Sequence, residues 1–271
     1  MIQFVKAHAC GNDFLIIDEP LEESRYAEIA RRLCARHTGI GADGVEYLAL
    51  SNNGSFAIRL FNADGSEGEI SGNGTRCVAA YLAQHEDSTD ISIRTHAGVR
   101  RCRILERDHP RYRIETEMGV PSIEPKAITL RDGTTVEGFN VSIGNPHFVI
   151  FVDAANFECV GRPWQKIGEE ICVHKSFPKG TNVEFVRVID TNRIEFRIYE
   201  RGVGPTQSSG TGSSASAAAS IEARGASRKL AVIAEGGEQT VEWPEGSSQR
   251  SASLLLTGPA EIIAQGECLL L

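Results

Sequence analysis

The chain has 271 residues, with 28 Lys plus Arg against 36 Asp plus Glu and a formal net charge of −8, so the basic stripe of a nucleic-acid surface is absent. Its longest apolar runs, such as Phe148 to Val152, fall far short of the ~20 residues that cross a bilayer. Seven scattered cysteines without a Cys-x-x-Cys spacing, and a start (MIQFVKAHACGND) without a basic-then-apolar leader, predict a reduced cytoplasmic protein with neither zinc site nor disulfide framework.

Length predicts about two domains. Phe14 to Ile17 reads as a strand, and the apolar spacing of Tyr26, Ala27, Ile29, Ala30, Leu33 and Cys34 reads as a helix. Ala57 to Phe61 is a strand and Thr75 to Gln84 an Ala-rich helix. Residues 119–135 carry two prolines and Asp132-Gly133, which suggests a crossover between halves. Trp164, Ile167 and Ile171 mark a second amphipathic helix, followed by strands at Val183 to Val188 and Ile194 to Tyr199 and a helix over Ser214 to Ala223. Ser253 to Thr257 and Ala260 to Ala264 read as closing strands.

The chain repeats itself. Arg59-Leu60-Phe61 precedes Ser71-Gly72-Asn73-Gly74-Thr75 as Arg197-Ile198-Tyr199 precedes Ser209-Gly210-Thr211-Gly212-Ser213, at one offset of 138 residues. Val45-Glu46-Tyr47 and Val183-Glu184-Phe185 share that offset, as do Ala79-Ala80 and Ala217-Ala218. Upstream, Gly11-Asn12-Asp13-Phe14 resembles Gly144-Asn145-Pro146-His147-Phe148 with one residue inserted. One fixed offset over separated segments predicts an α+β protein of two pseudo-symmetric lobes with a ligand cleft between them. The expected division is 1–120 and 121–259, with the C-terminal strand 260–271 a candidate to pack on the first lobe.

Each glycine-rich loop opens a helix, where backbone N–H groups and the helix dipole favour an anion. Neither loop is a Walker A nor a dinucleotide fingerprint, so a small anion such as a carboxylate is favoured over a nucleotide. The plainer alternative is that the glycines only turn the chain into a helix. Two similar lobes closing on one ligand would present matched groups to opposite faces of a carbon, as stereochemical inversion requires.

These residues, with Gly39-Ile40-Gly41-Ala42-Asp43-Gly44, Phe61-Asn62-Ala63-Asp64-Gly65, Thr181-Asn182-Val183-Glu184-Phe185, Glu200-Arg201-Gly202 and Thr257-Gly258-Pro259-Ala260, together resemble the diaminopimelate epimerase family over essentially the whole chain. The resemblance implies a cofactor-independent isomerase that interconverts LL- and meso-diaminopimelate in lysine and peptidoglycan synthesis, commonly as a homodimer. It implies that Asn12, Asn62, Asn145, Asn182, Glu200 and Arg201 hold the substrate. It assigns Gly72, Asn73, Gly210 and Thr211 to its α-carboxylate, and His147 and Glu200 to tuning the two bases.

The chain departs from the family at those bases. The family's catalytic groups are cysteines before Gly-Asn-Gly and Gly-Thr-Gly, whereas this chain has Ser71 and Ser209. A thiol has a pKa near 8.5 and ionises readily, but an alcohol does not without strong activation. Three readings stay open: a natural serine-bearing epimerase, a ligand-binding form whose bases were lost or deliberately replaced, or another racemase or dehydratase on the same fold. Cys10, two residues before Asn12, is either a displaced thiol base or, as its context favours, an inert buried cysteine. Cys77 reads as packing. Glu200-Arg201 reads as a clamp for a carboxylate and an ammonium.

Overall fold

The computed structural model describes residues 1–50, 55–245 and 252–269. They fall into two units, Met1–Glu117 with Thr257–Leu271, and Met118–Leu256.

In the first unit, strands β1 (Ile2–Ala9) and β2 (Asn12–Ile17) lead to the outer helix α1 (Tyr26–Cys34). Strands β3 (Gly44–Leu50), β4 (Phe56–Asn62) and the short β5 (Glu67–Gly68) then deliver the chain to α2 (Gly72–Leu82). Strands β6 (Asp90–Thr95), β7 (Gly98–Asp108) and β8 (Arg111–Gly119) follow. β1 and β2 are antiparallel, β2 and β3 parallel, β3 and β4 antiparallel, and β4 and β6 parallel. β6, β7 and β8 form an antiparallel meander.

Every residue of β2 is buried because each face of the strand meets a helix layer. Phe14 and Ile16 join the core around α2, while Leu15 and Ile17 join the core beneath α1 with Ile29, Leu33, Val45 and Tyr47. Almost all of α2 is buried, and it packs on β1, β2, β3, β6 and β7.

The second unit repeats this plan. Strands β9 (Ser122–Thr129), β10 (Thr135–Ser142) and β11 (Pro146–Phe151) lead to the outer helix α3 (Trp164–Cys172). Strands β12 (Asn182–Asp190), β13 (Arg193–Glu200) and β14 (Gly204–Thr206) then deliver the chain to α4 (Gly210–Arg224). β15 (Lys229–Ala234) and β16 (Gly237–Glu242) form a hairpin, and β17 (Leu254–Cys268) returns to the first unit, pairing with β1. β11 and β12 are parallel, like β2 and β3, and β12 and β13 antiparallel, like β3 and β4.

α4 is buried from Gly210 through Ser220. The buried part of this helix is built from small side chains, and two of its serine hydroxyls donate back one turn, whereas Ser213 Oγ and Ser216 Oγ have no hydrogen bond among the described residues. Ser214 Oγ bonds to Gly210 O at 2.9 Å and Ser220 Oγ to Ser216 O at 2.7 Å. Gly225, at φ +67, ends the helix in the left-handed region.

Three local expectations are refined. Residues 119–135, expected as a crossover between halves, follow the boundary between Glu117 and Met118 and are occupied by β9, which Asp132-Gly133 turns into β10. Pro125 is tolerated because its strand, β9, has a ladder register only with β10 among the described residues. The two closing strands are one, Leu254–Cys268, although residues 270 and 271 of the expected C-terminal strand lie outside the described residues. The two Ala-rich helices begin at Gly72 and Gly210, inside the glycine loops.

Candidate active site

Each unit builds the same corner. In the first, Ser71 is extended (φ −119, ψ 123) and caps α2, its Oγ accepting the Gly74 N–H at 3.0 Å. Behind the loop, the fully buried Arg76 donates from Nη2 to Asn73 Oδ1 at 2.5 Å. Asn73 Nδ2 donates to Asn12 Oδ1 at 3.1 Å, and Asn12 Nδ2 to Asp43 Oδ2 at 2.7 Å. A guanidinium only donates and a carboxylate only accepts, so the two ends of this chain orient both amides between them.

Asp43 and Asp13 share Arg36, at 2.7 and 2.8 Å, and Lys6 lies 3.0 Å from Asp13. Burial alone would raise the Asp13 carboxyl, but Arg36 and Lys6 hold it below its ordinary value. Asn62 is not part of this chain. Its Nδ2 donates to Ser66 Oγ at 3.0 Å, inside a turn that Asp64 also braces.

In the second unit, Ser209 is extended (φ −144, ψ 130) and caps α4, its Oγ accepting the Gly212 N–H at 3.2 Å. Ser209 Oγ also lies 3.3 Å from Thr211 Oγ1, which accepts from Asn145 Nδ2 at 3.3 Å. Asn145 Oδ1 is 2.9 Å from His147 Nε2, and His147 Nδ1 is 2.6 Å from Glu184 Oε1. A hydrogen-bonded path therefore links Ser209 to a buried His–Glu pair. Burial raises the Glu184 pKa and His147 partly opposes that shift.

Asn182 Oδ1 accepts the Arg201 N–H at 2.9 Å, and Arg201 Nη1 donates to Lys179 O at 3.1 Å. Glu200 lines a cavity of about 650 Å³ beside α3, with Arg131, Arg162 and Lys166. That cavity is not lined by Ser209 or His147.

Two site features were not assigned a role from sequence. Glu46 and Glu184 occupy equivalent places on β3 and β12, each pointing to the inner side of its strand and each wholly buried. A Cβ placed on Gly74 would fall 2.0 Å from Glu46 Oε1, and one on Gly212 would fall 3.1 Å from Glu184 Oε1. The units differ in what faces the carboxyl. His147 pairs with Asn182 in the parallel ladder, and the corresponding pair in the first unit is Phe14 with Gly44. Phe14 thus stands where His147 would be, and neither Glu46 oxygen has a hydrogen bond among the described residues. Burial pushes the Glu46 carboxyl up to about 8. A glutamate at the same repeat position inside two apolar strands was the available signal.

Burial governs several of the cysteines. All seven are buried and none is in a disulfide. Burial raises Cys102 to about 11 and Cys34 to about 12, and Cys77 further still, so these thiols stay protonated. Cys10 is buried in the left-handed region at φ 52, before the Gly11 turn.

Solved structures share this architecture. A probable proline racemase from Agrobacterium radiobacter K84 superposes with a TM-score of 0.77 at 17% identity, over 100% of this chain and 93% of that one. A PhzF-family phenazine biosynthesis protein of Bacillus anthracis gives 0.73 at 16%, over 99% of each chain. At such identities the likeness establishes the fold, two repeated α+β units of the diaminopimelate epimerase and PhzF kind. Sequence goes further, and the class it defines is an isomerase that acts on amino acids. The family model described as diaminopimelate epimerase matches residues 4–124 and 139–263. Enzymes of that name from Pelotomaculum thermopropionicum and Bacillus pumilus are each 35% identical, covering 98% of both chains in the first case and 97% in the second. The chain belongs to the diaminopimelate epimerase family.

Proposed function

We propose that this chain interconverts LL- and meso-diaminopimelate without an added cofactor, removing the proton at Cα and returning one to the opposite face. The observation that carries the reading is the matched pair of corners, each with a serine at the family's base position capping a buried helix. Inversion needs one proton-handling group for each face of the carbon, and the duplication supplies two.

In this reading Ser71 and Ser209 are the proton-handling groups, and His147 sets the protonation of Ser209 through Asn145 and Thr211. Gly72, Asn73, Gly210 and Thr211 take the α-carboxylate, and the helix starts stabilise the charge that develops on it. Asn12, Asn62, Asn145, Asn182, Glu200 and Arg201 line the substrate. Glu200 sets the protonation of the second base in this reading, as the family resemblance implies.

Incubation with LL-diaminopimelate in heavy water tests the proposal. Deuterium at Cα together with meso product is the expected result. Binding of the substrate by calorimetry with neither deuterium nor meso product would instead favour a second reading, a ligand-binding form, which serine at both base positions supports.

A further inference from the structure

Resting on the epimerase reading, we propose that Glu46 is the proton partner of Ser71, a positioning residue that takes and returns the proton the serine hydroxyl cannot hold alone. The geometry converges on Gly74. The point where a Cβ would sit there is 2.0 Å from Glu46 Oε1 and 3.2 Å from Ser71 Cβ, so the carboxyl and the serine flank the same space that glycine leaves open, without a hydrogen bond between them. Gly74 also donates its N–H to Ser71 Oγ.

The carboxyl is wholly buried, and both oxygens lack a hydrogen bond among the described residues. Burying a polar group without a partner is costly, so a partner engaged during the reaction accounts for its retention. The equivalent carboxyl of the second unit stands in the same relation to Gly212 and Ser209, whose Cβ lies 3.1 Å from the corresponding point, and there it is paired with His147.

In one direction the Cα–H bond breaks, its proton passes to Ser71 Oγ, and the Ser71 hydroxyl proton passes to the Glu46 carboxylate. The electron pair stays on the carbon. In the other direction the protonated Glu46 gives its proton to Ser71 Oγ as the serine's own proton goes to the carbon. The strand neighbours of Glu46, Ile16 and Leu60, are apolar, and the ionisable groups on the facing helix are Arg76, Cys77 and Tyr81. Burial holds Cys77 protonated.

The test is Glu46→Gln in two backgrounds, the unmodified chain and the chain carrying Ser71→Cys with Ser209→Cys. Cα deuterium exchange of diaminopimelate is read across a pH series. A thiolate holds a proton vacancy by itself, so the carboxyl matters chiefly to the serine chain. Glu46→Gln is expected to slow exchange by about 100-fold or more in the serine chain. In the cysteine chain the expected loss is below about tenfold, and the limb of the serine chain's pH profile that Glu46 sets disappears with the carboxyl.

Equal losses in both backgrounds, or no loss in the serine chain, overturn the proposal, because a merely structural carboxyl would act alike in both. If Glu46→Gln does not fold, Glu46→Asp is read in the same way, with slowing confined to the serine chain. Exchange by the cysteine chain alone overturns the role of Glu46 but leaves the epimerase reading of the scaffold. Exchange by neither chain sinks both.

Discussion

His147 Nδ1 lies 2.6 Å from Glu184 Oε1, and neither side chain is exposed. Removing one partner of such a pair leaves the other buried and uncompensated, which costs about 3–5 kcal/mol. His147→Phe, which copies the arrangement at Phe14, is therefore expected to destabilise the protein by that order in urea denaturation at pH 7. Adding Glu184→Gln to His147→Phe should recover part of the loss. A single-variant cost below about 1 kcal/mol would show that the pair is not a coupled unit.

Glu46 predicts the opposite pH trend from an ordinary salt-bridged carboxylate. Its pKa rises on folding from 4.5 to about 8. Between those values the unfolded chain has lost the proton and the folded chain keeps it, so this group makes stability fall as pH rises across that window. Glu46→Gln removes the titration. The variant should gain on the unmodified protein by a few kcal/mol between pH 5 and 8, as measured by denaturation at several pH values. A stability difference that stays flat with pH would show that Glu46 ionises normally.

Gly74 and Gly212 should not tolerate alanine equally. At Gly74 the added methyl meets the Glu46 carboxyl at 2.0 Å, whereas at Gly212 it meets the Ile198 Cδ1 tip at 2.8 Å and Glu184 at 3.1 Å. Gly74→Ala is expected to cost about 1–3 kcal/mol, more than Gly212→Ala. Combining it with Glu46→Ala, which vacates the space, should give a double variant more stable than the two single losses added together. Strict additivity in thermal unfolding would count against the contact.

The serine caps can be measured apart from chemistry. Ser71→Ala and Ser209→Ala each remove the acceptor for one helix-start N–H, and each should cost about 0.5–2 kcal/mol of stability. Ser71→Gly and Ser209→Gly should cost only a few tenths. Indistinguishable melting of all four would mean that the hydroxyls do not cap in solution.

Much of this was legible before any coordinates. The constant offset between the two Ser-Gly-x-Gly loops revealed the duplication, and the apolar spacing of α1 and α3 placed both outer helices. Their counterparts α2 and α4 were read as starting too late, because a glycine pair looks like loop until a capping serine recruits it into the first turn. β9 was hidden by Pro121 just before it and by Pro125 within it, which a strand paired on one side accommodates. At the site, the loops and the asparagines were visible as motifs. The His147–Glu184 contact was not, since the partners are 37 residues apart and meet only across the parallel β11–β12 ladder. Arg76 gave no sign of its role because a single arginine in a helix ordinarily faces water.

Phe14 in the place of His147 has a consequence for turnover. A doubled scaffold with a histidine behind one corner and a lone carboxylic acid behind the other is even-handed in shape but not in acidity. In the proposed reaction the LL-to-meso and meso-to-LL directions would call on those corners in reversed order, so their rates are expected to crest at different pH.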